Sequence, residues 1–241
     1  MKPILIVVAT ALEAARLPKL EHSIPVVSGI GAVNAALATQ AGILEHQPGM
    51  VLSVGIGGAY PSSGLQPGDA AVSSAIVYAG LGAMDGSEFL DLEQLGFPLL
   101  ERDESKTFNT LPVSGLSRAF AEAAGIAHGP FLTLETVTGS LEATSRIEVR
   151  FPGVLVEGME GAGVAHVALK HNIPCLEVRG ISNMVGPRDR SQWKIPEALQ
   201  ALSRALEIGW PVLLDSEIPA DRKSTRLNSS HRNTSRMPSS A

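Results

Sequence analysis

Cysteine is almost missing from this 241-residue chain: Cys175 is the only one. One thiol cannot close an internal disulfide, and it cannot build a cysteine metal cage. The expected compartment is therefore the cytoplasm. Aromatic residues are scarce too, at 4% of the chain against 44% hydrophobic residues. A core with so few rings must be assembled from Val, Ile, Leu and Ala, which suits a parallel sheet covered by helices on both faces. Long apolar runs are also lacking. Residues 2–9 (KPILIVVA) are too short to cross a bilayer, and they lack the charged start and cleavage site of a secretory leader. No membrane partner is expected.

Several motifs are absent as well. The glycine run Gly55-Ile-Gly-Gly58 is not G-x-G-x-x-G, and no ribose-binding acid follows at the distance a dinucleotide fold requires. No G-x-S-x-G elbow supports a serine hydrolase. His22, His46, His128 and His171 show no ligand spacing, and His166 reads as a packed helix residue. Asp85, Glu88, Asp91 and Glu93 read as a solvated loop. No metal and no cofactor are expected.

Charge is distributed unevenly. Residues 222–241 carry five basic residues and no acid, so a net charge of −5 for the chain leaves −10 on the rest. An acidic body argues against nucleic acid as a partner. Residues 220–241, rich in Ser, Arg and Asn without apolar periodicity, are expected to be a disordered basic tail of non-native character. Residues 1–219 are expected to form a single domain, large enough to bury a core unaided.

Within that stretch, strand-like apolar runs alternate with Ala-rich segments of helical period. Strands are expected at 4–9, 25–29, 50–55, 70–80, 131–137, 154–158 and 175–182. Helices are expected at 32–46, 115–124, 140–151, 160–171 and 196–214, with a short helical or irregular piece at 12–17. Ser140 suits an N-cap, Gly125 a helix C-terminus, and Pro196 a first helical turn. Residues 81–112 show no clean period and are expected to form a loop over the site. The glycine run reads as a turn that lets a small ligand approach closely. The alternation implies a layered α/β fold with a largely parallel sheet, whose ligands bind beyond the strand ends. Glu13, Gly55–Gly58, Glu157, Glu160 and Ser182-Asn183 all fall at such ends.

Six segments carry a family resemblance: A-T-A-L-E-A (9–14), S-G-I-G-A-V-N-A-A (28–36), G-I-G-G-A (55–59), P-G-D-A-A-V-S (67–73), E-G-M-E-G-A-G-V-A-H-V (157–167) and R-G-I-S-N (179–183). Their order and spacing resemble the nucleoside phosphorylase and nucleosidase superfamily over about residues 3–214. Within it the chain is similar to the methylthioadenosine and S-adenosylhomocysteine nucleosidases. It is closer still to the futalosine hydrolase family of an alternative menaquinone pathway, above all in R-G-I-S-N-M-V-G-P-R-D-R-S-Q-W (179–193).

The resemblance implies a three-layer α/β/α sandwich with a central mixed, largely parallel sheet, a purine nucleoside as small-molecule partner, and a homo-oligomer. It implies that Glu13 activates water at the anomeric carbon, where a phosphorylase would need groups that attract phosphate. Met159 and Glu160 match the pair that holds the sugar, Ser73 matches a serine near it, and Gly57 belongs to the close wall. Thr136 and Val137 match residues lining the base. Asn183 stands where adenine-specific relatives carry aspartate. An amide offers one donor and one acceptor, which suits a 6-oxopurine such as hypoxanthine. Arg188, with Arg190 and Trp193 nearby, is expected to meet the benzoate at the far end of futalosine. The alternatives are an adenosine-type nucleosidase, a phosphorylase, and a non-catalytic nucleoside-binding protein.

Overall fold

A computed structural model describes residues 1–102 and 105–215. The expected basic tail, 220–241, lies outside the described residues. The chain begins with β1 (Ile4–Val8), α1 (Ala11–Ala14), β2 (Ser23–Val27), α2 (Ala32–His46), β3 (Met50–Ala59) and β4 (Ala70–Tyr78). Small elements follow: β5 (Ala83–Asp85), β6 (Glu88–Leu90), α3 (Leu92–Leu95), β7 (Leu100–Arg102), β8 (Ser105–Thr107) and β9 (Thr110–Pro112). The remainder comprises α4 (Ser117–Ala124), β10 (Ala127–Thr133), α5 (Leu141–Arg150), β11 (Val156–Gly158), α6 (Gly161–Lys170), β12 (Cys175–Met184) and α7 (Ile195–Leu214).

The local signals operate as their chemistry dictates. The Ser140 hydroxyl accepts the Ala143 N–H and opens α5, while Gly125 ends α4 in the left-handed region that glycine enters without cost. Pro196 occupies the first turn of α7, where its missing N–H has no helical partner to lose. All five residues of β1 are buried, as expected of a strand covered on both sides.

The main sheet runs β11-β10-β4-β12-β3-β1-β2, with β9 added on β4. Pairing is parallel around β1, β2, β3 and β12, whereas β12 meets β4 antiparallel, so the sheet is mixed. Alternate side chains of the central strands feed two cores. Ile4, Ile6, Leu52 and Val178 pack with Phe120, Leu202 and Leu206 of α4 and α7. Leu5, Val7 and Val51 pack with Ile43 of α2 and Val164 of α6 on the other face. The helices lie very close where glycine faces backbone: a Cβ on Gly163 would overlap the Ala32 carbonyl, and one on Gly180 the Ala198 carbonyl.

Four expectations require correction. The sheet is not simply a flat middle layer, because β11 bonds to both β10 and β3 and curls that half into a partial barrel. Gly55–Gly58 is not a turn but part of the ten-residue strand β3, held by its ladder with β12. Strand β10 stops at Thr133, four residues earlier than expected, and the chain then turns toward the cavity described below. The described residues of 81–112 do not line that cavity. They form two local ribbons and the edge strand β9, and Arg102 caps the end of α6 through the Leu169 and Lys170 carbonyls.

Candidate functional site

The ends of β1, β3, β11 and β12 enclose a cavity of about 350 Å³, the size of a small-molecule site. Glu13, Gly57, Val137, Met159, Glu160, Asn183 and Arg188 line it together. Two expected members do not. Ser73 is fully buried inside β4, where its hydroxyl accepts the Glu177 N–H at 3.1 Å. Thr136 is exposed beside the cavity, and Val137 and Thr138 supply the wall instead.

Glu13 owes its position to a capping box. The Thr10 hydroxyl accepts the Glu13 N–H, and the Glu13 carboxylate takes the Thr10 N–H in return. Oε2 accepts from Thr10 N at 2.9 Å and Thr10 Oγ1 at 2.8 Å, while Oε1 accepts from Ile56 N at 3.0 Å. Oε2 is thereby filled, and Oε1 keeps one acceptor position. Glu160, at the start of α6, takes the Gly31 N–H at 3.1 Å on Oε1 and Arg179 at 3.3 Å on Oε2.

Arg179 is the hub beneath them, only 1% exposed. Its Nε donates to Glu177 at 2.8 Å, Nη1 to the Ile56 carbonyl, and Nη2 to Ser53 and Glu160. Burial alone would lower its pKa, but attraction from Glu177, Glu160 and Glu13 outweighs that and raises it. Burial likewise pushes the Glu177 carboxyl up, opposed by Arg179. Glu177 Oε2 has no hydrogen-bond partner among the described residues. It lies against Gly161 at the amino end of α6, where a helix dipole favours negative charge. Gly55 makes room for the cluster: a Cβ there would sit 2.5 Å from both Arg179 Nη1 and Glu13 Oε1. Three carboxyl groups thus surround one guanidinium, an environment that stabilises a nearby cation and repels an anion such as phosphate.

Another part of the lining is built from amide and hydroxyl groups. A bulge in β12 between Ile181 and Asn183 re-aims the strand end, and Asn183 enters the cavity. Its Oδ1 accepts from Ser182 Oγ at 2.8 Å and its Nδ2 donates to the Met184 carbonyl at 2.9 Å. The Met184 carbonyl needs a donor and so fixes which way the amide points. One N–H and one acceptor position remain for a ligand. Farther out, Arg188 and Arg190 lie 5.3 and 5.7 Å from the Trp193 ring centre, and Arg188 and Trp193 reach the cavity. Both distances fall within cation–π range.

Sequence reasoning missed Arg179 and Glu177. The signal was present in C-L-E-V-R-G-I-S (175–182): two opposite charges two residues apart share one face of an otherwise apolar strand. Tyr60, Thr138 and Ile56 were missed too, and nothing local marks them.

A mixed α/β sheet with a carboxylate-walled cavity at its strand ends defines the architecture. The chain belongs to the phosphorylase superfamily, whose family model matches residues 19–208. A futalosine hydrolase of Streptomyces coelicolor is 41% identical over 191 residues, covering 77% of each chain. Among solved structures, a 5′-methylthioadenosine/S-adenosylhomocysteine nucleosidase of Colwellia psychrerythraea in complex with adenine aligns with a TM-score of 0.73. It is 22% identical and covers 88% of this chain and 96% of that one. A futalosine hydrolase of Helicobacter pylori aligns at 0.69 with 22% identity, covering 86% and 97%. The two structures share the fold with this chain.

Proposed function

We propose that this protein hydrolyses the N-glycosidic bond of futalosine, releasing hypoxanthine for menaquinone synthesis. The observation that carries the reading is Asn183, an amide with one free donor and one free acceptor, lining the same cavity as Glu13 and Glu160. The 41% identical relative named futalosine hydrolase supports it.

In this reading water attacks the anomeric carbon, and the open position of Glu13 Oε1 receives its proton. The sugar gains oxocarbenium character as the bond to the base breaks. Glu160 accepts hydrogen bonds from the ribose hydroxyls beside Met159, and the carboxylates around Arg179 stabilise the developing positive charge. The base leaves with its electron pair and takes up a proton at N7 from solvent, which balances the proton received by Glu13. Asn183 meets it with an N–H on O6 and a carbonyl on the N7–H that the departing base acquires; adenine presents an amine donor at position 6 in place of the oxo acceptor. Val137 offers backbone groups to the base, and Gly57 lets it lie close to β3. Arg188, braced on Trp193, pairs with the benzoate of the substrate.

A homo-oligomer and a cytoplasmic location complete the proposal. Leu12 and Ile30 line the cavity yet are 54% and 61% exposed, and Val33 and Leu37 continue the same apolar face along α2. A contiguous apolar face at the mouth of a site suits burial against a second copy. No helix among the described residues is long and apolar enough to cross a membrane.

The test is base release from futalosine, inosine and 5′-methylthioadenosine in phosphate-free buffer, by wild type and Asn183→Asp. Hypoxanthine from futalosine, with the variant losing that preference, supports both substrate and site. Adenine released from methylthioadenosine by the wild type as the main product refutes the reading of Asn183.

A further inference from the structure

One carboxylate of the cavity has no part in the chemistry above. Glu157, at the end of β11, is 5% exposed and lines the cavity. Its Oε2 accepts from Tyr60 Oη and from Thr138 Oγ1, each at 2.7 Å. Among the described residues, Oε1 accepts the Thr138 N–H at 2.9 Å and nothing else. Each carboxylate oxygen accepts two hydrogen bonds, so Oε2 is full and Oε1 keeps one position open. Burial pushes the Glu157 pKa up, while the donors on Thr138 and Tyr60 and the charge of Arg188 oppose that. Three aligned donors hold the group rigidly.

Asn183 stands beside it. A Cβ placed on Gly58 would lie 3.2 Å from Asn183 Nδ2 and 3.7 Å from Glu157 Cγ, so both side chains border the same bare stretch of β3. The cavity therefore presents a free N–H and a free carboxylate acceptor as neighbours. A 6-oxopurine carries the complement along one edge: O6 accepts and N1–H donates. A 6-aminopurine carries the reverse, an amine donor and a bare N1, whose lone pair would face a carboxylate.

We propose that Glu157 reads the base: its Oε1 accepts the ring N1–H that a 6-oxopurine has and a 6-aminopurine lacks. The inference rests on the reading of the substrate as a 6-oxopurine nucleoside. Asn183 then donates to O6 and accepts from N7–H, while Glu157 checks N1–H on the other side of O6. Tyr60 and Thr138 are positioning residues, which aim the carboxylate and never touch the base.

The test compares wild type and Glu157→Gln on futalosine and on its 6-amino analogue, by kcat/KM and by inhibition with the free bases hypoxanthine and adenine. Loss of a hydrogen bond to a charged acceptor is expected to cost about 10- to 100-fold on futalosine and on hypoxanthine binding. The 6-amino substrate and adenine should be unaffected or favoured. Equal losses on both bases would make Glu157 a structural brace and overturn the proposal alone. A wild type that releases no hypoxanthine from futalosine would overturn the substrate reading and the proposal together. Should Glu157→Gln fail to fold, 1-methylhypoxanthine tests the contact on the wild type. It should inhibit at least about tenfold more weakly than hypoxanthine, and equal inhibition would contradict the proposal.

Discussion

Beneath the cavity, Arg179 sits among three carboxyl groups with all three of its nitrogens engaged. In its lining, Asn183 and Glu157 each keep a hydrogen-bonding position open. The first region is a buried ion cluster, which is costly to assemble and severe to break. The second consists of two separately held side chains, Asn183 on Ser182 and the Met184 carbonyl and Glu157 on Tyr60 and Thr138, and there a single exchange is expected to alter which ligand fits. In the proposed reading, reaction type resides in the buried ion cluster and substrate choice in the side chains of the cavity lining.

That division can be broken by substitution. Glu13→Gln is expected to cut kcat by about 10³-fold with little change in KM, the usual scale for losing a general base. Glutamine still completes the capping box but loses the bond from the Ile56 N–H, so circular dichroism should be unchanged and the thermal midpoint should fall only by a few degrees. A large fall in the midpoint would assign Glu13 to structure instead. Arg179→Met leaves Glu177 buried without its partner and should cost about 3–5 kcal/mol of stability, read by urea titration. A loss below about 1 kcal/mol would mean that the cluster is not the stability centre described here.

Smaller effects sharpen the comparison. Arg188→Ala should raise KM for futalosine about tenfold and leave inosine, which has no benzoate, unchanged. Equal changes on both would remove Arg188 from the substrate contact. Cys175, whose thiol is pushed up to about 12 by burial and then by Glu177, should resist alkylation in the native state at pH 8. Deprotonation is favoured only as the pH rises through that value, so mass spectrometry at pH 8 should find the thiol intact. Rapid modification would show that β12 opens readily.

Much of this was legible in the sequence. Helix α2 starts and ends where its periodicity predicts, and α7 ends at the expected residue. Glu13, Glu160 and Asn183 were found because family-like segments surround them, and the strand ends bring them together. The failures are long-range in origin. Ser73 sits in a family-like segment, but its strand turns that side chain beneath Glu177 rather than toward the cavity. Gly55–Gly58 reads locally as a turn, yet its glycines clear space for Arg179, Glu13 and Val156, which come from other parts of the chain. Each ribbon within 81–112 is a separate pair of three-residue strands, too short to show a period.

The most direct test of the central claim is a turnover of futalosine in oxygen-18-labelled water, without phosphate and then with added phosphate. The account predicts hypoxanthine release at the same rate in both, with the label at the anomeric carbon of the sugar product. Turnover that requires phosphate and yields an unlabelled sugar phosphate would contradict it, because the carboxylates around Arg179 would then be serving a phosphorylase.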